Sequence, residues 1–429
     1  MQIRLGRMKA IHILWFLIFF LLLFQDALTK MISVFSYTDE FIALLGPVLL
    51  VYQGVRRGRT GIKKNTVAMM LLLLAFAIAG LMGNMIYQYQ PLSIVFTDLL
   101  VNFKFYFMIL TGVAIFVGRD QEEIRTCLTR YARMGTAILF VLLLADILFQ
   151  VFPSGGYRYG LRVSKLFYNQ PTYLAGAATF LMVVLTLFYE KKNIFYLVML
   201  TLLLLFTLRI KAVVTAVSYL YLFVVTVLMQ KKLRSWHIVI ILLVAVTLAW
   251  DQFSYYFIEL EDGSARSALT KASFQIMGDY FPIGTGFGTF ASHSAVESYS
   301  PVYYLYGLNE IWGLSENYSK FSSDTFWPII FGQTGVIGTV CYAGALGLLI
   351  FRVFKIRKAN VNAYAAGVFA IAYLLISSLA EPAFNNLIAI PLAMIIGYIL
   401  TLDQGNSPAT VNHMHEGTEA SAEAQKQKI

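Results

Sequence analysis

The chain has 429 residues, 59% of them hydrophobic and only 13% charged, with a mean hydropathy of +0.69 and a net charge of +10. That balance excludes a soluble globule of this size and places the chain among polytopic membrane proteins. The positive charge needs no nucleic acid to explain it, because the Lys and Arg residues are distributed as a membrane topology requires.

A hydrocarbon core is crossed by about 17 to 25 apolar residues. Twelve such stretches are predicted, at 10–28, 37–55, 66–88, 94–118, 134–152, 172–189, 193–209, 212–229, 237–253, 324–351, 361–380 and 386–402. The cations sort into alternate connections. Arg4, Arg7 and Lys9 precede the first stretch, and Arg56, Arg57, Arg59, Lys63 and Lys64 follow the second. Arg119, Arg125, Arg130 and Arg133, then Lys191 and Lys192, then Lys231, Lys232 and Arg234, then Arg352, Lys355, Arg357 and Lys358 continue the pattern, which Lys426 and Lys428 close. The positive-inside rule makes these segments and both termini cytoplasmic. The basic start followed by Ile11 to Phe24 resembles a signal peptide, but no small-x-small site follows and Gln25-Asp26 leads straight on, so a retained first helix is expected. Cys127 in a cytoplasmic loop and Cys341 within a span predict no disulfide. Residues 1–402 read as a single transmembrane domain and 403–429 as a polar, disordered cytoplasmic tail.

Several cations break this sorting. The stretch GGYRYGLRVSK, 155–165, places Arg158, Arg162 and Lys165 outside, and Arg209 and Lys211 fall in the short external turn between the seventh and eighth spans. The longest connection, 254–323, lies between the ninth and tenth spans and is acidic, yet it holds Arg266. Arg266 opens a predicted amphipathic helix, 264–280, that Ser264 introduces and that Pro282 and glycines 284, 286 and 288 end. Such a helix is expected in the outer interface. Following a proline and no strand, those glycines read as a tight turn, not a dinucleotide fingerprint.

Two readings of the external cations stay open. They pair with neighbouring carboxylates or lipid phosphates, or they converge on an anionic head group, since the guanidinium fork matches phosphate oxygens. Inside the membrane Lys104 requires a partner, and Asp146 on the next helix stands at a similar depth. Glu381, before Pro382 at the outer end of the eleventh span, is a lesser site candidate.

Three stretches carry a resemblance. RYGLRVSKLFYNQPTYLAG has an Arg/Gly-rich loop leading into N-x-P at a helix start; SARSALTKASFQIMGDYFPIGTGFGTF has an Arg, a helix, then Pro282 and glycines 284, 286 and 288, similar to the family's P-x-x-G-x-G-x-G/F; SSDTFWPIIFGQTGVIGTV enters a span with G-x-x-G. Over roughly residues 150 to 350 the chain resembles the O-antigen polymerase and ligase superfamily, membrane glycosyltransferases akin to the GT-C type that use undecaprenyl pyrophosphate-linked glycans. The resemblance implies an enzyme of the bacterial cytoplasmic (inner) membrane with a large periplasmic loop, working without metal or cofactor, beside a flippase and a chain-length regulator of the same pathway. Ser323-Asp324 stands where ligases carry a His-Asn pair, which favours a repeat-unit polymerase over a ligase. A lipid-linked oligosaccharide transporter is the other alternative, against which stand the lack of an internal repeat and the few intramembrane charges.

Under this reading Arg158, Arg162 and Arg266, then Arg209 and Lys211, are expected to bind the pyrophosphate. The base that takes the sugar hydroxyl's proton is sought first at Asp324, then at Glu310 and His293. Asp324 has a second reading, as a cap of the tenth helix with Ser322 and Ser323. Tyr303, Tyr304 and Trp312 offer flat faces for sugar rings, or gather at the interface by partitioning alone.

Overall fold

The computed structural model describes residues 10–57, 64–254 and 264–402. These are helical almost throughout, and the one sheet among them is a two-stranded hairpin. The helices are α1 (Ala10–Met31), α2 (Thr38–Arg57), α3 (Lys64–Tyr87), α4 (Leu92–Phe116), α5 (Gln121–Phe149), α6 (Pro171–Leu187), α7 (Asn193–Phe206), α8 (Ile210–Phe223), α9 (Ser235–Ser254), α10 (Ala265–Asp279), α11 (His293–Glu297), α12 (Pro301–Leu305), α13 (Trp327–Ile356), α14 (Val361–Ser378) and α15 (Ala389–Leu402). Eight are long and apolar enough to cross a membrane, and α6, α7 and α15 are shorter apolar helices. The protein is thus all-α, with the apolar helices of a polytopic membrane protein. The expected polar tail lies outside the described residues.

Each apolar stretch predicted from the sequence coincides with a helix, but α5 begins well before residue 134. The added turns are polar, so hydropathy does not mark them. They are held by a cap, the Asp120 side chain accepting from Glu122 N at 2.9 Å, and by ion pairs. Arg125 and Arg133 reach Glu190 at 3.1 and 2.8 Å, and Lys192 joins them at 2.8 Å. Hydrogen bonds from Lys192, then Arg133, hold the Glu190 carboxyl down to about 2.

The centre of the bundle is made by α6 and α15, whose side chains are buried on nearly every face. A helix that is apolar all round belongs in an interior. Where α4 crosses α15, Gly112 and Gly397 let the backbones touch, and a Cβ on either would strike the opposite main chain. The outward faces of α2, α3 and α5 carry exposed Phe41, Val48, Leu71, Met85, Val141 and Leu148, a surface suited to lipid.

The long connection between α9 and α13 folds into its own apolar cluster, in which Leu269, Ala272 and Ile276 of α10 meet Phe290, Tyr303, Leu314 and Ile329. Its glycine segment enters the bundle. Helix α13 is broken at Gly335, which has φ 57 and ψ −158. The backbone groups freed there are satisfied by the loop: Thr285 N donates to Gly332 O at 3.0 Å, Gly286 N to Gln333 O at 2.8 Å, and Ile337 N to Pro282 O at 3.1 Å. On the far side the Asn84 amide brackets Phe287, accepting from its N at 2.7 Å and donating to its O at 2.9 Å. Gly288 N donates to buried Asp98 at 3.0 Å. The glycines expected to make a simple turn thus form a plug that completes a kinked helix.

Lys104 does not pair with Asp146. Its ammonium reaches Asp39 at 2.5 Å and Glu40 at 2.9 Å, both in the first turn of α2, and Gln25 also donates to Asp39 at 2.6 Å. Lys104 faces α2, against which α4 packs, and Asp146 pairs elsewhere.

Candidate functional site

The connections α5–α6, α7–α8, α9–α13 and α14–α15 meet at one end of the bundle. Ser164 N donates to Phe206 O at 3.1 Å, Lys211 bonds Glu381 at 2.6 Å, and Arg266 bonds Asp324 at 3.1 Å. The loop before α6 is fixed to α1 by Asn169, whose backbone N and side-chain Nδ2 both donate to Asp26 at 2.6 Å. That is the structural work of the N-x-P motif.

Lys211 and Arg266 sit in the first turns of α8 and α10. A helix amino end carries the positive pole of its dipole, so a cation there is unfavourable unless an anion compensates it. Glu381 compensates Lys211 and Asp324 compensates Arg266. The two pairs share one field. Arg209 and Arg266 both act electrostatically on Lys211, and Arg266, Lys211 and Lys320 all act on Asp324. Two ion pairs, Lys211–Glu381 and Arg266–Asp324, thus stand at the first turns of α8 and α10, with Arg209 and Lys320 within their electrostatic reach. Among the described residues this group counts four cations and two carboxylates, in partial burial.

Four residues named from the sequence therefore come together here: Arg209, Lys211, Arg266 and Asp324. Asp324 is not a cap of α13, which has no side-chain cap. Its side chain is 34% exposed, and burial still pushes its carboxyl above the usual range, against the lowering pull of Arg266. The native state thus keeps this proton over a pH window in which an unfolded chain has lost it. Over that window stability falls as pH rises, and above it the ionised group carries a constant penalty. Asp324→Asn is expected to be at least as heat-stable as the parent at neutral pH, with the difference closing on acidification toward about pH 4. Melting curves of the detergent-solubilised proteins check this.

Arg162 has a different role from the one expected. It lies in the hairpin of β1 (Tyr157–Arg158) and β2 (Leu161–Arg162), and its guanidinium donates to Asp146 at 2.8 Å and to the carbonyl of Phe152. Ser164 Oγ at 3.2 Å and Phe152 N at 3.0 Å complete the Asp146 carboxylate, which is 1% exposed. Arg162 is thus spent on holding the hairpin to α5. Removing one partner of a buried pair leaves the other charge stranded, at about 3 kcal/mol. Arg162→Ala should lower the melting temperature clearly, and adding Asp146→Ala should recover part of the loss. Arg158 is half-buried in the same hairpin, where its backbone pairs with Leu161, and its side chain makes no hydrogen bond or ion pair among the described residues; Lys165 only approaches Asn169 O at 3.5 Å.

The remaining candidates make no hydrogen bond or ion pair to Lys211, Arg266, Asp324 or Glu381 among the described residues. His293 opens α11 and Glu310 ends a short turn, both exposed. Tyr303 is fully buried, its hydroxyl accepting from Ala291 N at 3.2 Å, so it is a core residue of the long connection and offers no face to a sugar. Tyr304 is 51% exposed and donates to Glu316 at 2.6 Å. Trp312 is 68% exposed and packs on Tyr318 and Phe321 at ring distances of 5.4 and 5.1 Å. Neither a protein-family model nor a curated protein sequence matches the chain.

Proposed function

We propose that the protein is a membrane glycosyltransferase that polymerises undecaprenyl pyrophosphate-linked oligosaccharide repeat units, as in O-antigen, capsule or exopolysaccharide synthesis. In this reading twelve helices cross the bacterial cytoplasmic membrane with both termini inside, and the end of the bundle that carries the long connection faces outward. The single observation that carries it is the convergence of Arg209, Lys211 and Arg266 with two carboxylates at that end.

The chemistry follows from the parts. Fixed cations stabilise the charge that develops on a leaving lipid pyrophosphate without having to reorganise. A neighbouring carboxylate accepts the proton of the attacking sugar hydroxyl. Arg158 extends the positive field from the hairpin, and exposed Tyr304 and Trp312 supply surfaces for the glycan. No step calls for a metal or cofactor. The related reading, a ligase, is separated by its acceptor. Purified protein given only the lipid pyrophosphate repeat unit is expected to make longer glycans. If product forms only after a different lipid acceptor is added, the protein is a ligase and not a polymerase.

A further inference from the structure

The carboxylate of Glu381, in the turn between α14 and α15, uses its two oxygens unequally. Oε2 is held by Lys211 Nζ at 2.6 Å, whereas Oε1 is buried with no hydrogen-bond partner. The residue is only 9% exposed, and its backbone is pinned by Glu381 N donating to Ser377 O at 3.0 Å. A buried acceptor oxygen with nothing to accept from is retained against a desolvation penalty, which makes it a place for a donor that arrives with a ligand. Two phenols, Tyr173 and Tyr373, lie within the carboxylate's electrostatic reach. Tyr173 also walls a small recess between α1, α6 and this turn, together with Asp26, Ile388 and Pro391.

We propose that Glu381 binds the acceptor sugar's attacking hydroxyl and takes its proton, while Lys211 holds the carboxylate in place and shares the field of the leaving group. The inference rests on the glycosyltransferase reading above. Asp324 is the poorer candidate, because its side chain is a third exposed and its carboxylate is already committed to Arg266 at 3.1 Å. It orients Arg266 instead. In the step, the hydroxyl oxygen forms its bond to the donor's anomeric carbon as the bond from that carbon to the pyrophosphate oxygen breaks. The electron pair leaves on the lipid pyrophosphate beside Lys211 and Arg266, and the hydroxyl proton passes to Glu381 Oε1, from which solvent removes it.

The test uses the full-length protein in vesicles with a radiolabelled lipid pyrophosphate repeat unit, measuring elongation rate and donor binding for the parent, Glu381→Gln and Glu381→Asp. The expected result is a loss of elongation of about a hundredfold or more in Glu381→Gln with donor binding unchanged. Glu381→Asp, which keeps the charge beside Lys211 and so guards against loss of the fold, should retain part of the rate. Elongation at the parent rate in Glu381→Gln overturns the inference while leaving the polymerase reading intact, and so does loss of donor binding in parallel with rate. If the parent itself elongates nothing, the polymerase reading fails and the inference with it.

Discussion

Arg266→Ala is expected to lower glycan elongation by about a hundredfold, the usual consequence of removing one fixed donor from a developing charge. Arg266 is the safest probe of the cluster. Its partner Asp324 is a third exposed and survives without it, whereas removing Lys211 would strand the buried carboxylate of Glu381. Arg266→Lys should recover only part of the rate, because an ammonium keeps the charge but loses the planar fork that meets two phosphate oxygens at once. A rate measured at saturating donor, beside a melting curve showing the fold intact, separates this effect from unfolding. An Arg266→Ala protein as fast as its parent would remove the cluster from the mechanism.

The second large effect is on folding. At Gly284, where φ is +72, a Cβ would lie 2.5 Å from Gly335 N, and at Gly335, where φ is +57, it would lie 2.5 Å from Gly284 N. Both positions demand a left-handed backbone and a main-chain contact at once. Gly284→Ala and Gly335→Ala are therefore expected to destabilise the protein by about 3 kcal/mol or more, since strain and the loss of the plug's hydrogen bonds to α13 act together. Gly278, with nothing near its Cβ, is the matched control, and Gly278→Ala should be tolerated. Folded yield and melting temperature read out both. If all three variants behave alike, the plug is not what completes α13.

What the sequence disclosed and what it withheld have a common logic. Cations that break the alternating charge pattern are a one-dimensional signal, so Arg158, Arg162 and Arg266, then Arg209 and Lys211, stand out along the chain before any contact is known. Which of them stays available to a ligand is a matter of facing. Arg162 reads like Arg266 along the chain, yet its acid, Asp146, lies on α5 directly beneath the hairpin. The same carboxylate looked like the partner of Lys104 because depth can be counted along a helix, whereas the side of the helix a residue faces depends on its neighbours. The acids that do meet Lys104, Asp39 and Glu40, resembled an ordinary helix start.

The glycine plug shows the same limit. P-x-G-x-G-x-G and G-x-x-G are both visible as strings, but the pairing of Thr285 with Gly332 joins residues 47 apart in the chain. Along the sequence Glu381 is an acid at the end of a span and a lesser site candidate. Its one unused oxygen exists only once Lys211, from a helix far away in sequence, has taken the other. Tyr303 failed in the opposite direction, as one tyrosine among many that the loop's own core consumes.

The most direct measurement of the central claim is the product of the purified protein in vesicles supplied with a lipid pyrophosphate-linked repeat unit and no other acceptor. The account predicts a ladder of glycans lengthened by whole repeat units, with release of lipid pyrophosphate. Movement of the intact substrate across the vesicle membrane with no lengthening would contradict it.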